Sequence, residues 1–250
     1  LDYMDALSKG MERRIERAPW YKKWFFKTEY KRLLIYERIM FDYFDKKTII
    51  SEQDKRYIFH PEREQIVCVP NGIDTHFLEP VHVEKKYDFA FVGNMNYPPN
   101  VEAVVFIVNE ILPAFPNAKL LVAGATPHPK LVKLAKDNAN VVISGWIDDI
   151  RTAYASAEIF FAPMKTGTGM QNKLLEAMAL GVPCVTTSLA NNAIGAVHNE
   201  SIIVCDTHQQ MILQLKELIQ HPELREKIGS AGKQFVSERY SWKKATQHLI

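Results

Sequence analysis

Between Ala162 and Val185 the chain reads APMKTGTGMQNKLLEAMALGVPCV. Gly167, Thr168 and Gly169 precede a helix-forming run that carries Lys173 in its first turn and Glu176 one turn later on the same face. A glycine turn that opens a helix lets a ligand approach the backbone, and the first-turn amides, lacking intrahelical acceptors, attract negative charge. A lysine at that end opposes the helix dipole, at a cost of about 0.3 to 1 kcal/mol. An anion held by the amides of Gly169 and Met170 and by the Lys173 ammonium reverses that balance. A lysine pointing into solvent is the plainer alternative. Glu176 suits hydrogen bonds from a vicinal diol such as a ribose, or an ion pair with Lys173 in the less favourable order. Leu174, Leu175 and Met178 form the apolar stripe of the same helix, which Gly181 and Pro183 end.

These residues need a frame. From about Asp88 onward, short apolar runs (DFAFVG, KLLVAG, NVVISG, EIFFAP, VPCVTT and SIIVC) alternate with amphipathic segments of helical length. That alternation is the pattern of a parallel sheet covered by helices on both faces, a doubly wound α/β unit. In such a sheet the ligand crevice lies beyond the carboxyl ends of the strands where strand order reverses, commonly between the first and fourth strands. Here those strands run into FVGNMNYPPN, with Gly93 and Asn94, and into the Gly167 to Lys173 loop. The two loops are expected to face each other across one crevice. Asp148-Asp149 reads as a helix cap rather than a metal site.

Residues 1–74 read differently. A basic, aromatic-rich helical stretch from Met11 to Phe44 precedes a strand-like KKTIIS, a helix capped by Ser51, and a second strand-like IVCVP. Two strands make no stable sheet alone, so this region reads as the tail of an N-terminal α/β domain. VPNGID, Val69 to Asp74, is the turn at the boundary. The aromatic and basic side chains of residues 11–44 suit either peripheral contact with an anionic membrane or packing against the remainder of that domain.

Composition sets the outer limits. The 250 residues are 47% hydrophobic and 24% charged, which is globular, and a net charge of +2 gives no global field for nucleic acid. Three cysteines, each in a short apolar run, point to a reducing compartment, and no run is long enough to span a bilayer. A cytoplasmic location is the expectation, peripheral at the inner face of a membrane if residues 11–44 contact one rather than pack.

VPNGID, FVGNMNYPPN, GWIDDIR, TGTGMQNKLLEAMALGVPCVTT and ERYSW, in this order and spacing, resemble the nucleotide-sugar-dependent glycosyltransferases of family 4, group 1, which have the GT-B architecture. The resemblance covers most of residues 66–250. It implies the tail of an acceptor-side domain over 1–74 and a Rossmann-like donor-binding domain over 75–236. Residues 237–250 would start the helix that crosses back to the first domain. It also implies retaining sugar transfer from a nucleotide diphosphate sugar to a saccharide or lipid-linked acceptor, as in surface polysaccharide or glycolipid synthesis, with no cofactor and no metal. By the same resemblance Glu176 holds the ribose, Lys173 is the main cation on the diphosphate, and backbone groups at Trp146 and Ile147 read the base. Trp146 on its own reads equally as a packing tryptophan. The family's first glutamate, eight positions before the second, is replaced here by Thr168, within a glycine turn. Two other readings stay open: a nucleotide-sugar epimerase of the same architecture, and a binding or scaffolding protein that kept the fold without the chemistry.

Overall fold

The computed structural model describes residues 1–167 and 169–246; Thr168 and 247–250, the end of the segment expected to cross back, lie outside the described residues. The chain begins with an antiparallel helical hairpin, α1 (Leu7–Arg17) and α2 (Trp20–Asp42). The single helical stretch expected from Met11 to Phe44 is thus two helices, and the first starts earlier. Ala18 and Pro19 are both extended, because proline disfavours helical backbone in the residue before it and supplies no amide of its own. After the hairpin come β1 (Thr48–Ile49), α3 (Glu52–Lys55) and β2 (Val67–Cys68). β1 and β2 pair in parallel, and the Ser51 side chain caps α3 by accepting from the Asp54 amide at 3.0 Å. Ala6, Phe41, Ile49, Ile58 and Ile66 form a small core of their own.

The rest of the chain builds one sheet. Its strands are β3 (Tyr87–Val92), β4 (Leu120–Ala123), β5 (Val141–Gly145), β6 (Ala157–Ala162), β7 (Cys184–Thr186) and β8 (Ile203–Val204). All pair in parallel in the order β5-β4-β3-β6-β7-β8, so strand order reverses between β3 and β6. β4 is buried at every position, as are the last four residues of β3, which is why the runs are continuously apolar rather than alternating. Phe89, Phe91, Phe160 and Phe161 fill the centre of the main core.

Parallel strands require crossover helices, and the right-handed rule sends successive crossovers to opposite faces when the strand order reverses. α4 (Pro98–Phe106) packs with α5 (Pro129–Asp137) and continues through a π turn at Ile107–Ile111, which packs with α9 (His208–Gln220). α6 (Ile150–Ala155), α7 (Asn172–Ala179) and α10 (Pro222–Arg239) pack together as a second set. The short α8 (Ser188–Asn191) and α11 (Trp242–Thr246) complete the helices. The expected doubly wound α/β unit is present, with the loops after β3 and β6 side by side.

The boundary turn after β2 meets the end of α10. The Ile73 amide donates to the Tyr240 carbonyl at 2.5 Å, next to a bridge between Ile73 and Ser241. Gly72 is a glycine for a packing reason: a Cβ there would stand 2.6 Å from the Trp242 ring. Asp74 then caps a 3-10 turn by accepting from the His76 amide at 2.9 Å.

Candidate functional site

The crevice at the reversal point holds a cavity of about 320 Å³, of the size that takes small ligands. Gly93, Asn94, Tyr97 and Asn100 line it from the β3 loop and α4, and Met170, Lys173 and Glu176 from the β6 loop and α7. The two loops singled out by sequence therefore share one space.

Lys173 enters this space from the first turn of α7. Its ammonium donates to Asn100 Oδ1, lies 4.8 Å from the centroid of the Phe91 ring, and is 4.0 Å from Met164 Sδ. Burial lowers its pKa from 10.5 to about 8, with the Glu176 charge acting in the opposite direction. The lysine is neither paired with Glu176 nor turned to bulk solvent. It is a partly buried cation in contact with neutral groups, the Asn100 oxygen, the Met164 sulfur and the Phe91 ring, and gains from an incoming anion.

Asn100 is 4% exposed and uses both ends of its amide: Nδ2 donates to the Asn94 carbonyl at 2.9 Å while Oδ1 accepts from Lys173. Asn94 in turn folds its own loop, with Oδ1 accepting from the Asn96 amide at 2.9 Å. Gly93 explains itself in this setting. A Cβ there would stand 2.7 Å from Asn100 Nδ2 and 3.3 Å from Lys173 Nζ.

Glu176 accepts from the Tyr154 hydroxyl through Oε2 at 2.6 Å. Burial raises the Glu176 pKa, while that hydrogen bond and the Lys173 charge hold it down. Tyr154 is fully buried on α6, and burial together with the neighbouring carboxylate pushes its phenol well above the usual range. The tyrosine thus fixes the carboxylate from below and leaves its outer edge toward the cavity.

The remaining expected residues separate. Gly169, at φ +72°, is covered by the N-terminal part: a Cβ on it would meet Ile50 Cδ1 at 3.3 Å and Asp5 Cβ at 3.4 Å. Gly167 lines a neighbouring cavity, and its carbonyl accepts from the Arg13 guanidinium of α1. Trp146 and Ile147 follow β5, the edge strand, and are not in the lining of the crevice. The Trp146 ring is 74% exposed and donates to Asp148 Oδ1 at 3.2 Å, and Ile147 packs partly on the main core. Asp149 caps α6 by accepting from the Arg151 amide at 3.1 Å, as expected. Among the described residues no three His, Cys, Asp or Glu converge as a metal site, and no helix is long and apolar enough to cross a membrane.

Sequence reasoning missed Asn100, Tyr154, Tyr97 and Arg13. Asn100 carried a faint signal, a polar residue in the first turn of a mostly apolar helix. The others depend on contacts between residues far apart in the chain.

Comparison with known proteins bears on the family and the fold. Over its full length the chain resembles an uncharacterized 44.6 kDa protein in the cps region of Klebsiella pneumoniae. The two are 26% identical over 275 aligned residues, 99% of this chain and 69% of the relative. It is 26% identical over 207 residues to a GDP-mannose-dependent monoacylated alpha-(1-6)-phosphatidylinositol monomannoside mannosyltransferase of Corynebacterium glutamicum, covering 73% of this chain and 54% of that one. In fold it matches the sucrose-phosphate synthase of Thermosynechococcus elongatus with a TM-score of 0.73 at 16% identity, over 88% of this chain and 60% of the synthase. The chain thus spans little more than half the length of the mannosyltransferase and of the synthase. The sequence model described as glycosyl transferases group 1 matches residues 86–221, which is more than half of the chain and includes both crevice loops. With its GT-B type of sheet and that match, the chain belongs to the group 1 glycosyl transferases.

Proposed function

We propose that the chain binds a nucleotide diphosphate sugar in the crevice between Gly93 and α7 and is the donor-handling part of a retaining, metal-independent glycosyltransferase. The observation that carries this reading is the partly buried Lys173 ammonium at the start of α7, contacted by neutral groups and lining a cavity at the strand-order reversal. The chemical need in such a transfer is stabilisation of the charge that grows on the departing diphosphate. Lys173, in the first turn of α7 (Asn172–Ala179), brings a positive charge to that position, and the dipole of the helix favours an anion at the same end. Losing one oriented donor of this kind commonly costs about 10²- to 10³-fold in rate. Glu176, held by Tyr154, takes the ribose hydroxyls, and backbone groups near Trp146 and Ile147 meet the base if the donor extends along the sheet edge.

In this reading residues 1–74 belong to the acceptor-side domain, 75–236 to the donor domain, and the segment from 237 crosses back. The acceptor is a saccharide or lipid-linked hydroxyl in bacterial surface polysaccharide or glycolipid synthesis on the cytoplasmic side. Support comes from the Klebsiella relative's cps region and from the lipid acceptor in the Corynebacterium relative's name. α2 also exposes Trp20, Tyr21, Trp24 and Phe25 among lysines, a surface suited to peripheral contact at the inner face of a membrane.

The test is thermal stability against a panel of nucleoside mono- and diphosphates. A site-specific ligand at a hundredfold its dissociation constant adds about 2.7 kcal/mol. Stabilisation by at least one diphosphate, absent in Lys173→Ala, is expected; no response to any nucleotide would overturn the reading.

A further inference from the structure

Tyr97 is a wall of two cavities, the crevice just described and a neighbour of about 290 Å³ where the helical hairpin meets the β3 and β6 loops. Arg14, Lys22 and Phe26 line the neighbour from the hairpin, and Glu102 and Gly167 line it from the larger part. Arg13 fixes the two walls together through the Gly167 carbonyl, and its guanidinium carbon rests 5.5 Å from the centroid of the Tyr57 ring. The cavity is therefore a built junction between the two parts, open next to the point where a donor sugar would emerge.

Its charges are unbalanced. Glu102, the carboxylate in the lining, accepts from Thr166 Oγ1 at 2.9 Å. Arg14 and Lys22 form no ion pair among the described residues. The Arg14 charge reaches the Tyr97 phenol, where it partly offsets the rise in pKa caused by burial. Two cations on one wall of a confined cleft, without carboxylates of their own, favour an anionic guest. Phe26 and the prolines at the start of α4 add apolar surface beside them.

We propose that this second cavity is the acceptor subsite, and that the acceptor carries a negatively charged group, phosphate or carboxylate, held by Arg14 and Lys22. The assignment to an acceptor rests on the glycosyltransferase reading; the anion site itself does not. A phosphate would come from a lipid carrier and a carboxylate from an acidic sugar.

Calorimetric binding of farnesyl phosphate and of methyl β-D-glucuronide to the 250-residue chain separates the sources, with farnesol and methyl β-D-glucoside as uncharged controls. At least one anion should bind, more tightly than its control. Arg14→Ala/Lys22→Ala should weaken it at least tenfold, and Lys173→Ala should leave it within about twofold. Both cations are exposed side chains, so the double variant is expected to fold, as circular dichroism would verify. Binding of the phosphate alone assigns a lipid carrier, of the glucuronide alone an acidic sugar, and of both a general anion subsite. The inference fails if neither anion binds at millimolar concentration, if the controls bind equally, or if binding survives the double variant. Nucleoside diphosphate stabilisation of the double variant is the separate readout: its loss in every protein would sink the donor reading while leaving the anion site standing.

Discussion

The side-chain amide of Asn100 accepts from the Lys173 ammonium and at its other end donates to the Asn94 carbonyl, at 2.9 Å. One buried residue therefore ties the loop after β3 to the helix after β6, across the point where strand order reverses. It gives the lysine a neutral partner, which holds the side chain in place without forming an ion pair. Asn100→Ala should cost about 1 to 3 kcal/mol of stability, since it orphans a buried charge and a carbonyl. It should also weaken nucleoside diphosphate binding about tenfold. Denaturant unfolding and calorimetry on the same variant test both.

The pH dependence of Lys173 has a defined sign. Its pKa falls from 10.5 to about 8 on folding because burial disfavours the ammonium. Between those two values the unfolded chain keeps a proton that the folded chain has released. The Lys173 contribution to stability therefore rises as pH goes from about 8 to about 10.5, and is flat on either side. Unfolding series across this window should show the increment in the native chain and lose it in Lys173→Met. A bound diphosphate favours the ammonium, so its affinity should decline as pH rises above about 8.

Glu176→Gln keeps an oxygen to accept from Tyr154, so stability should change by less than about 1 kcal/mol. Affinity for a ribonucleoside diphosphate should drop about tenfold while that for the 2′,3′-dideoxy analogue stays constant, since one charge-assisted hydrogen bond is worth roughly 1.5 to 3 kcal/mol. Equal losses for both nucleotides would remove the ribose contact.

Tyr154→Phe acts on the same carboxylate from below. It deprives a buried Glu176 of its donor, at a cost of about 1 to 3 kcal/mol. Without that hydrogen bond the Glu176 pKa, already raised by burial, should rise further. Carboxyl titration by NMR would show an upward move relative to the native chain; no move would contradict the assigned role of the tyrosine.

At Gly93 a Cβ would press on Asn100 and Lys173 together. Gly93→Ala should therefore lose diphosphate affinity by at least tenfold, with a fold that still melts cooperatively. A thermal melt and a nucleotide titration separate the two effects.

Much of the frame could be read directly from residue order. Each of the six apolar runs became a strand; β3, β4 and β6 are apolar because the sheet interior is buried on both faces, whereas β5 at the edge is partly exposed. The glycine turn, Lys173 and Glu176 also announced themselves, since helix ends and their charges are local features. The break at Pro19 was underread, although proline and its predecessor are local signals too.

What sequence alone determined was the type and order of the elements, the family resemblance, and hence which two loops would meet. Tertiary structure alone decided the partners: Asn100 for Lys173, Tyr154 for Glu176, Arg13 for Gly167, Asp5 and Ile50 over Gly169. It also set Trp146 outside the crevice. The physical reason is range. Backbone hydrogen bonding and apolar periodicity act over a few residues and are written in neighbouring letters, whereas the environment of a buried charge is set by side chains brought together from 73 and even 154 positions apart.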